Sequence, residues 1–241
     1  MVEELASVEP GGSGPVVVHG HVPPAWRRPT QGEPRWPVAL TVLAAVALQL
    51  LLPSRLGIHP KYLIPGLEAV LLIALTVANP GRFTERSTLL RAGGLVLLIL
   101  VIVANAVSAA LLINDLLHSR GPSTDATQLL TTAGDIYLTN VLAFGLLYWE
   151  IDRGGPVART HADEQHPDFM FPQMTTPDLA PAHWEPAILD YLYLSLTNAT
   201  AFSPTDTMPM TRPAKAAMGL QASIALLTVG LAIARVTNIL K

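Results

Sequence analysis

The residues from Ala92 to Leu117 form the longest apolar run in the chain, and they restrict its fold more than any other stretch. At about 1.5 Å per residue, a helix of that length exceeds the ~30 Å of hydrocarbon in a bilayer. Inside hydrocarbon every backbone N–H and C=O must be satisfied within the segment, so the run reads as a spanning helix. Comparable runs recur at Val38–Leu52, at about Tyr62–Ala78, at Leu129–Trp149 and from Ala214 to about Leu240. The pattern predicts an all-α integral membrane protein with about five transmembrane helices, multi-pass in the cell (plasma or inner) membrane. Only 14% of the residues are charged, whereas charged residues supply about a quarter of a soluble domain.

The chain divides into three parts on this reading. Residues 1–37 are rich in Pro, Gly and charge and are expected to form a disordered arm, with Trp36 as an interfacial anchor at its end. Residues 38–125 hold three transmembrane helices, separated by a loop with Arg55 and Lys61 and by Asn79-Pro80-Gly81, a strong helix stop. Residues 126–241 begin with the helix 129–149, whose Tyr148-Trp149 pair is placed at the membrane interface. A proline-rich extramembrane loop follows over 150–185, with too little apolar content for a core of its own. Then come a short helix over 186–200, an irregular turn over 201–207 and a final helix over 214–240.

Several chemistries are set aside by residue type and context. There is no cysteine, so disulfides and thiol catalysis are excluded. The glycines of Gly11–Gly14 follow no strand and precede Pro15, which is not how a phosphate loop is built. His161, His166 and His183 with Asp163, Glu164 and Asp168 lack ligand spacing and read as solvated loop residues, so no metal site is assigned. No nucleophile–base pair stands in a suitable context, and no enzyme activity, catalytic residue or cofactor is expected. A net charge of -3 gives no reason to expect nucleic acid. The polar residues inside apolar segments are Glu68, Asn105, Asp135 and Asn140. A charged side chain at mid-depth costs at least ~2.5–3.5 kcal/mol, so such residues face the bundle, a cavity or a helix end.

The stretch Ser195–Thr211, SLTNATAFSPTDTMPMT, carries the functional argument. A helix over 186–200 is about 20 Å long, too short to cross the hydrocarbon, and Ala201-Phe202-Ser203-Pro204-Thr205-Asp206 cannot continue it. Irregular backbone at membrane depth is tolerated where protein buries it or where it lines a water-filled cavity. The segment resembles the pore module of potassium-channel-type cation channels: a pore helix ending S-x-x-x-A-T, a filter, x-x-P-x-T and a lining helix. Ser195, Ala199, Thr200, Asp206, Pro209 and Thr211 match that register, and Lys215 stands where a basic residue is common. The chain as a whole resembles a group of uncharacterised bacterial multi-pass membrane proteins with a loop like Trp149-Glu-Ile-Asp-Arg-Gly-Gly-Pro156.

The resemblance implies a re-entrant pore-type half-helix, a filter-like turn at Thr200–Asp206, a homo-oligomer (a tetramer if a pore) and monovalent cations as cargo. Ser203 and Thr205 replace the two filter glycines and Pro204 the tyrosine, so a carbonyl stack selective for potassium is not implied. What remains is a wider ring of Thr200, Ser203, Thr205 and Asp206 side chains, or a closed structural turn. Gly230 is a candidate gating hinge; Gly219, Ser223, Gly230 and Ala234 are also small residues suited to close helix packing. The excess of Arg and Lys puts the N-terminus and the mouth of the turn in the cytoplasm, whereas a potassium filter faces outside. The competing readings are a non-conducting scaffold, sensor or partner subunit and a proton-coupled transporter using Glu68 and Asp135.

Overall fold

The computed structural model describes residues 23–78, 81–84, 86–118, 126–200 and 206–239. Its helices are α1 (Trp36–Leu51), α2 (Leu63–Ala78), α3 (Thr88–His118), α4 (Ala126–Ile151), α5 (Pro156–His161), α6 (Pro172–Thr175), α7 (Ile188–Thr200) and α8 (Arg212–Ile239). Strands β1 (Phe169–Met170) and β2 (Met208–Pro209) pair antiparallel. Three segments, Thr88–His118, Ala126–His161 and Arg212–Ile239, are long and apolar enough to cross a membrane. The apolar helices α1 and α2 have 16 residues each, about 24 Å at ~1.5 Å per residue.

Side chains cap the starts of two helices. The Ser87 hydroxyl accepts from the Leu90 amide at the start of α3, and Asp190 reaches back to accept from the Ala187 amide at the start of α7. At the end of α4 the chain takes three consecutive positive φ values, at Arg153 (50°), Gly154 (75°) and Gly155 (94°). A Cβ on Gly155 would also stand 3.0 Å from the Glu150 carbonyl oxygen, so glycine is required there twice over. Pro156 then opens α5 at the helical position where its missing N–H is harmless.

Helix α4 is the centre of the bundle, in contact with α1, α3, α7 and α8. Gly145 lets α7 approach it closely, since a Cβ there would lie 2.7 Å from Leu192 Cδ2 and 3.2 Å from its Cα. The bundle has two apolar clusters. One, near the end where α4 stops, includes Val42, Leu72, Val101, Phe144, Leu194 and Ala214. The other, towards the opposite end, includes Leu52, Leu112, Leu129, Ile136, Ala232 and Val236.

Residues 150–187, expected as an extramembrane loop without a core of its own, form a cap over the first end. Its own Phe169 and Phe171 are buried against the bundle, and Phe169 packs 5.0 Å from Tyr148 and 6.5 Å from Tyr191, ring centre to ring centre. The cap borrows its core from α4 and α7, which is why its own apolar content can be low. For the same reason Tyr148 and Trp149 are buried instead of anchoring at an interface. Trp36 does face outwards, 69% exposed.

The described part of the arm, from residue 23, also differs from expectation, because it is tied into the cap. Trp26 is buried, and Glu33 accepts from Trp149 Nε1 at 2.7 Å and Arg159 Nη2 at 2.8 Å. At the hub, Asp152 is fully buried and accepts from the amides of Asp168 (2.8 Å) and Phe169 (3.2 Å) and from Tyr191 OH (2.6 Å). Its partner charge is Arg153 Nε at 3.7 Å, while Arg153 Nη1 donates to the Trp26 carbonyl. Removing one partner of a buried charged network leaves the others uncompensated, at about 3–5 kcal/mol. Asp152→Ala is therefore expected to lower unfolding free energy by about that amount in detergent, measured by chemical denaturation, whereas the exposed Asp163→Ala changes it little.

Candidate functional site

Between the two apolar clusters lies a layer of polar side chains contributed by the principal helices. Gln49 of α1, Glu68 of α2, Asn105 of α3, Thr139 and Asn140 of α4, Ser195 of α7, and Gln221 and Thr228 of α8 are all buried. Each occupies a helix position between, or beside, the residues that build the clusters, so the layer crosses the bundle at mid-height. Glu68, Asn105 and Asn140 fall in it as the cost of burying them in lipid requires. Asp135 is only half-buried and lies one turn outside the layer, where its carbonyl oxygen accepts from Thr139 Oγ1 at 2.8 Å. Among the described residues, Asn105 Oδ1, both polar atoms of the Asn140 side chain and Thr228 Oγ1 have no hydrogen-bond partner.

One part of the layer is fully connected and holds α7 in place. Ser195 Oγ donates to the Val141 carbonyl at 2.6 Å. Gln221 Nε2 donates to Ser195 Oγ at 2.6 Å and to its carbonyl at 3.0 Å. Gln221 Oε1 in turn accepts from Tyr148 OH at 2.5 Å and from Asn198 Nδ2 at 2.8 Å, and Asn198 also donates to the Met218 carbonyl at 3.0 Å. The C-terminal half of α7 thus sits about three turns along α8. Yet β2 is back at the cap, paired with β1, and Thr211 Oγ1 donates to Asp168 Oδ1 at 2.5 Å. The chain enters the bundle from the cap end and is at the cap end again by residue 208.

Of the residues expected in the filter-like turn, Thr200 ends α7, exposed, with its hydroxyl donating to the Leu196 carbonyl at 2.8 Å. Ala201, Phe202, Ser203, Pro204 and Thr205 lie outside the described residues. Asp206 is exposed. Gly230 is exposed as well, with no atom within 4 Å of a Cβ built on it, and the same holds for Gly219. Within one chain, then, Gly219, Ser223, Gly230 and Ala234 are exposed and do not serve close packing, whereas Ala214, Ala225 and Ala232 of the same helix are buried.

A second feature is a cleft of about 370 Å³ between α1, α2, α3 and α4. Its depth is apolar, with Val42, Leu72, Leu97 and Val101. Its mouth is at the cap, with Arg35, Arg86 and Arg91 beside Glu150 and Asp163. Arg86 Nη2 pairs with Asp163 at 2.7 Å and Arg91 Nε approaches Glu150 at 3.9 Å. Sequence reasoning passed over Gln49, Tyr148 and Gln221. The rule that singled out Asn105 and Asn140, a polar side chain in an apolar run, applies equally to both glutamines.

No protein-family model, curated protein or solved structure matches the chain.

Gln221→Leu removes four hydrogen bonds at once and leaves Tyr148 OH buried without its acceptor, at about 1–3 kcal/mol. Faster hydrogen exchange confined to the amides of 196–200 is the expected result; Tyr148→Phe, which loses the bond to Gln221 and the longer one from Asn198 Nδ2 at 3.4 Å, costs about 0.6–1.7 kcal/mol. The cap carries a pH dependence. Burial, and then the negative charge of Glu33, raise the Glu185 carboxyl above its ordinary 4.5, opposed by Arg153 and Arg159. A raised folded-state value means that the native chain holds the proton longer than the unfolded one, so stability is lost as pH rises from 4.5 through the folded value. Thermal melts should show that decline, and Glu185→Gln should flatten it.

Proposed function

We propose that the protein is a channel-like integral membrane protein that passes monovalent cations as a symmetric homo-oligomer. Five helices cross the membrane on this reading, with α1 and α2 little tilted because of their length, and α7 is a re-entrant half-helix. One observation carries it: α7 descends from the cap between α4 and α8, is locked there by Ser195, Asn198, Tyr148 and Gln221, and the chain regains the cap by β2. That order of outer helix, short helix, return and final helix is the order of a pore module. A single return loop cannot surround a pore, so copies must share an axis. The exposed face of α8, with Gly219, Ser223, Gly230 and Ala234, is the surface that other copies would cover. The partial negative charge at the C-terminus of α7 and the carboxylate of Asp206 both favour a cation.

The basic residues support placing the cap in the cytoplasm. Among the described residues ten lie towards the cap (Arg27, Arg28, Arg35, Arg82, Arg86, Arg91, Arg153, Arg159, Arg212 and Lys215) and three towards the other end (Arg55, Lys61 and Arg235). Arg153 and Arg159 are buried, which still leaves eight against three. The pore would therefore be inverted relative to a potassium channel.

The cleft favours a second reading, a non-conducting sensor or partner subunit. Its apolar depth and arginine-lined mouth suit an amphiphile with an anionic headgroup. Flux separates the two. Liposomes containing the purified protein are expected to pass monovalent cations, and Asp206→Asn to reduce that flux several-fold. Tight vesicles around folded, oligomeric protein would overturn the pore reading and leave the second.

A further inference from the structure

Glu68 is the one carboxyl of the mid-bundle layer, and it is 0% exposed. Among the described residues its hydrogen-bond partner is Gln49, whose Nε2 donates to Oε2 at 3.1 Å and to Oε1 at 3.4 Å. No cationic side chain among them pairs with it. An ionised carboxylate offers about four acceptor sites, and here a single neutral N–H serves both oxygens. Burial without a counter-charge disfavours that ionised form strongly.

Two species could neutralise it, a proton or a metal cation. A sodium-sized cation needs a shell of oxygen ligands, whereas the group set against Glu68 is the N–H end of an amide, a donor. A proton needs no such shell, and with no counter-charge among the described residues it is the species that burial calls for. The charged and titratable groups of the elements packed on α2 lie towards the helix ends. Helix α3 has Arg91 at the cap end, beside Glu150, and at the other end Asp115, paired with Arg55 at 3.6 Å. Helix α1 presents Gln49, and the connection before α2 carries His59, Lys61 and Tyr62. Lys61 Nζ lies 5.7 Å from the Tyr62 ring centre, over its face.

The connection between α1 and α2 also brings a small cavity to the site. It has a volume of about 20 Å³ and is lined by Pro53, Gly57, Ile58 and Lys61 of that connection together with Gln49 and Ser108. That is room for about one water molecule, beside the side chain to which, among the described residues, Glu68 is hydrogen-bonded. We infer that Glu68 is a proton-binding site at mid-bundle, loaded by water from the α1–α2 connection, with Gln49 as the hydrogen-bond partner that sets how readily it holds the proton. The inference does not rest on the pore reading, because α7 takes no part in it.

Dicyclohexylcarbodiimide tests it on the folded wild-type protein, since it reacts with buried carboxylic acids in their protonated form. The acid O–H adds across one C=N bond: the carboxyl oxygen bonds to the central carbon and its proton goes to nitrogen. Peptide mass spectrometry is expected to find the adduct on Glu68. Its rate should fall about tenfold per pH unit on the alkaline side of the protonation midpoint, equally in sodium chloride and choline chloride. Gln49→Leu removes the bond that favours the charged form and should move that fall to higher pH, an effect that loosened packing alone would not produce. Absence of the adduct from Glu68, or its protection by sodium, overturns the proton site; a fall that Gln49→Leu leaves in place overturns the role of Gln49.

Discussion

A fully buried carboxylate, Asp152, holds the end of the bundle together. It is tolerable only because two backbone amides, a phenol and an arginine all converge on it. Those partners come from the turn after α4, from β1 and from α7, so burying one charge fixes three parts of the chain relative to each other. A carboxylate in such a place makes the cap cooperative. Partial closure would leave a charge without water and without partners, which is worse than either the open or the closed arrangement. The position of α7 follows, because Tyr191 places its first turn and Ser195 its second.

Below the cap the bundle trades apolar packing for hydrogen bonds at a single level. In lipid the usual hydrophobic gain from bringing helices together is absent, and polar side chains become part of what joins them. The network of Tyr148, Ser195, Asn198 and Gln221 is satisfied, and it is structural. Glu68 with its one neutral donor, and Asn140 with none among the described residues, are not explained by packing in the same way. That contrast separates the residues that hold the helices from those with chemical capacity to spare.

Much of the architecture could be read from the apolar runs. Their bounds differ from the helices by a few residues, since length and hydropathy decide where a helix can lie in a bilayer. Glu68, Asn105 and Asn140 were legible as interior residues for the same reason. The cap was not. Its own Phe169 and Phe171 pack against Tyr148, Trp149 and Tyr191, which belong in sequence to helices, and composition counted over 150–185 misses those three. The same holds for residues 23–37, because nothing near Glu33 reveals that its partners are Trp149 and Arg159. Asp135 shows the limit of the polar-in-apolar rule, which gives depth but not facing. Gly230 shows another, since a small residue on a lone helix gives no sign of what it faces.

The long reach of the cap contacts bears on how the chain is made. Glu33 meets Arg159 across 126 residues and Arg153 meets Trp26 across 127, and the ribbon closes only once β2 has been synthesised. Until then Arg153 and Arg159 lack those partners. Charge rules for membrane insertion act on the nascent chain, before such contacts form. Two of the basic residues are later folded out of sight, so the finished surface shows fewer charges than the sequence carries.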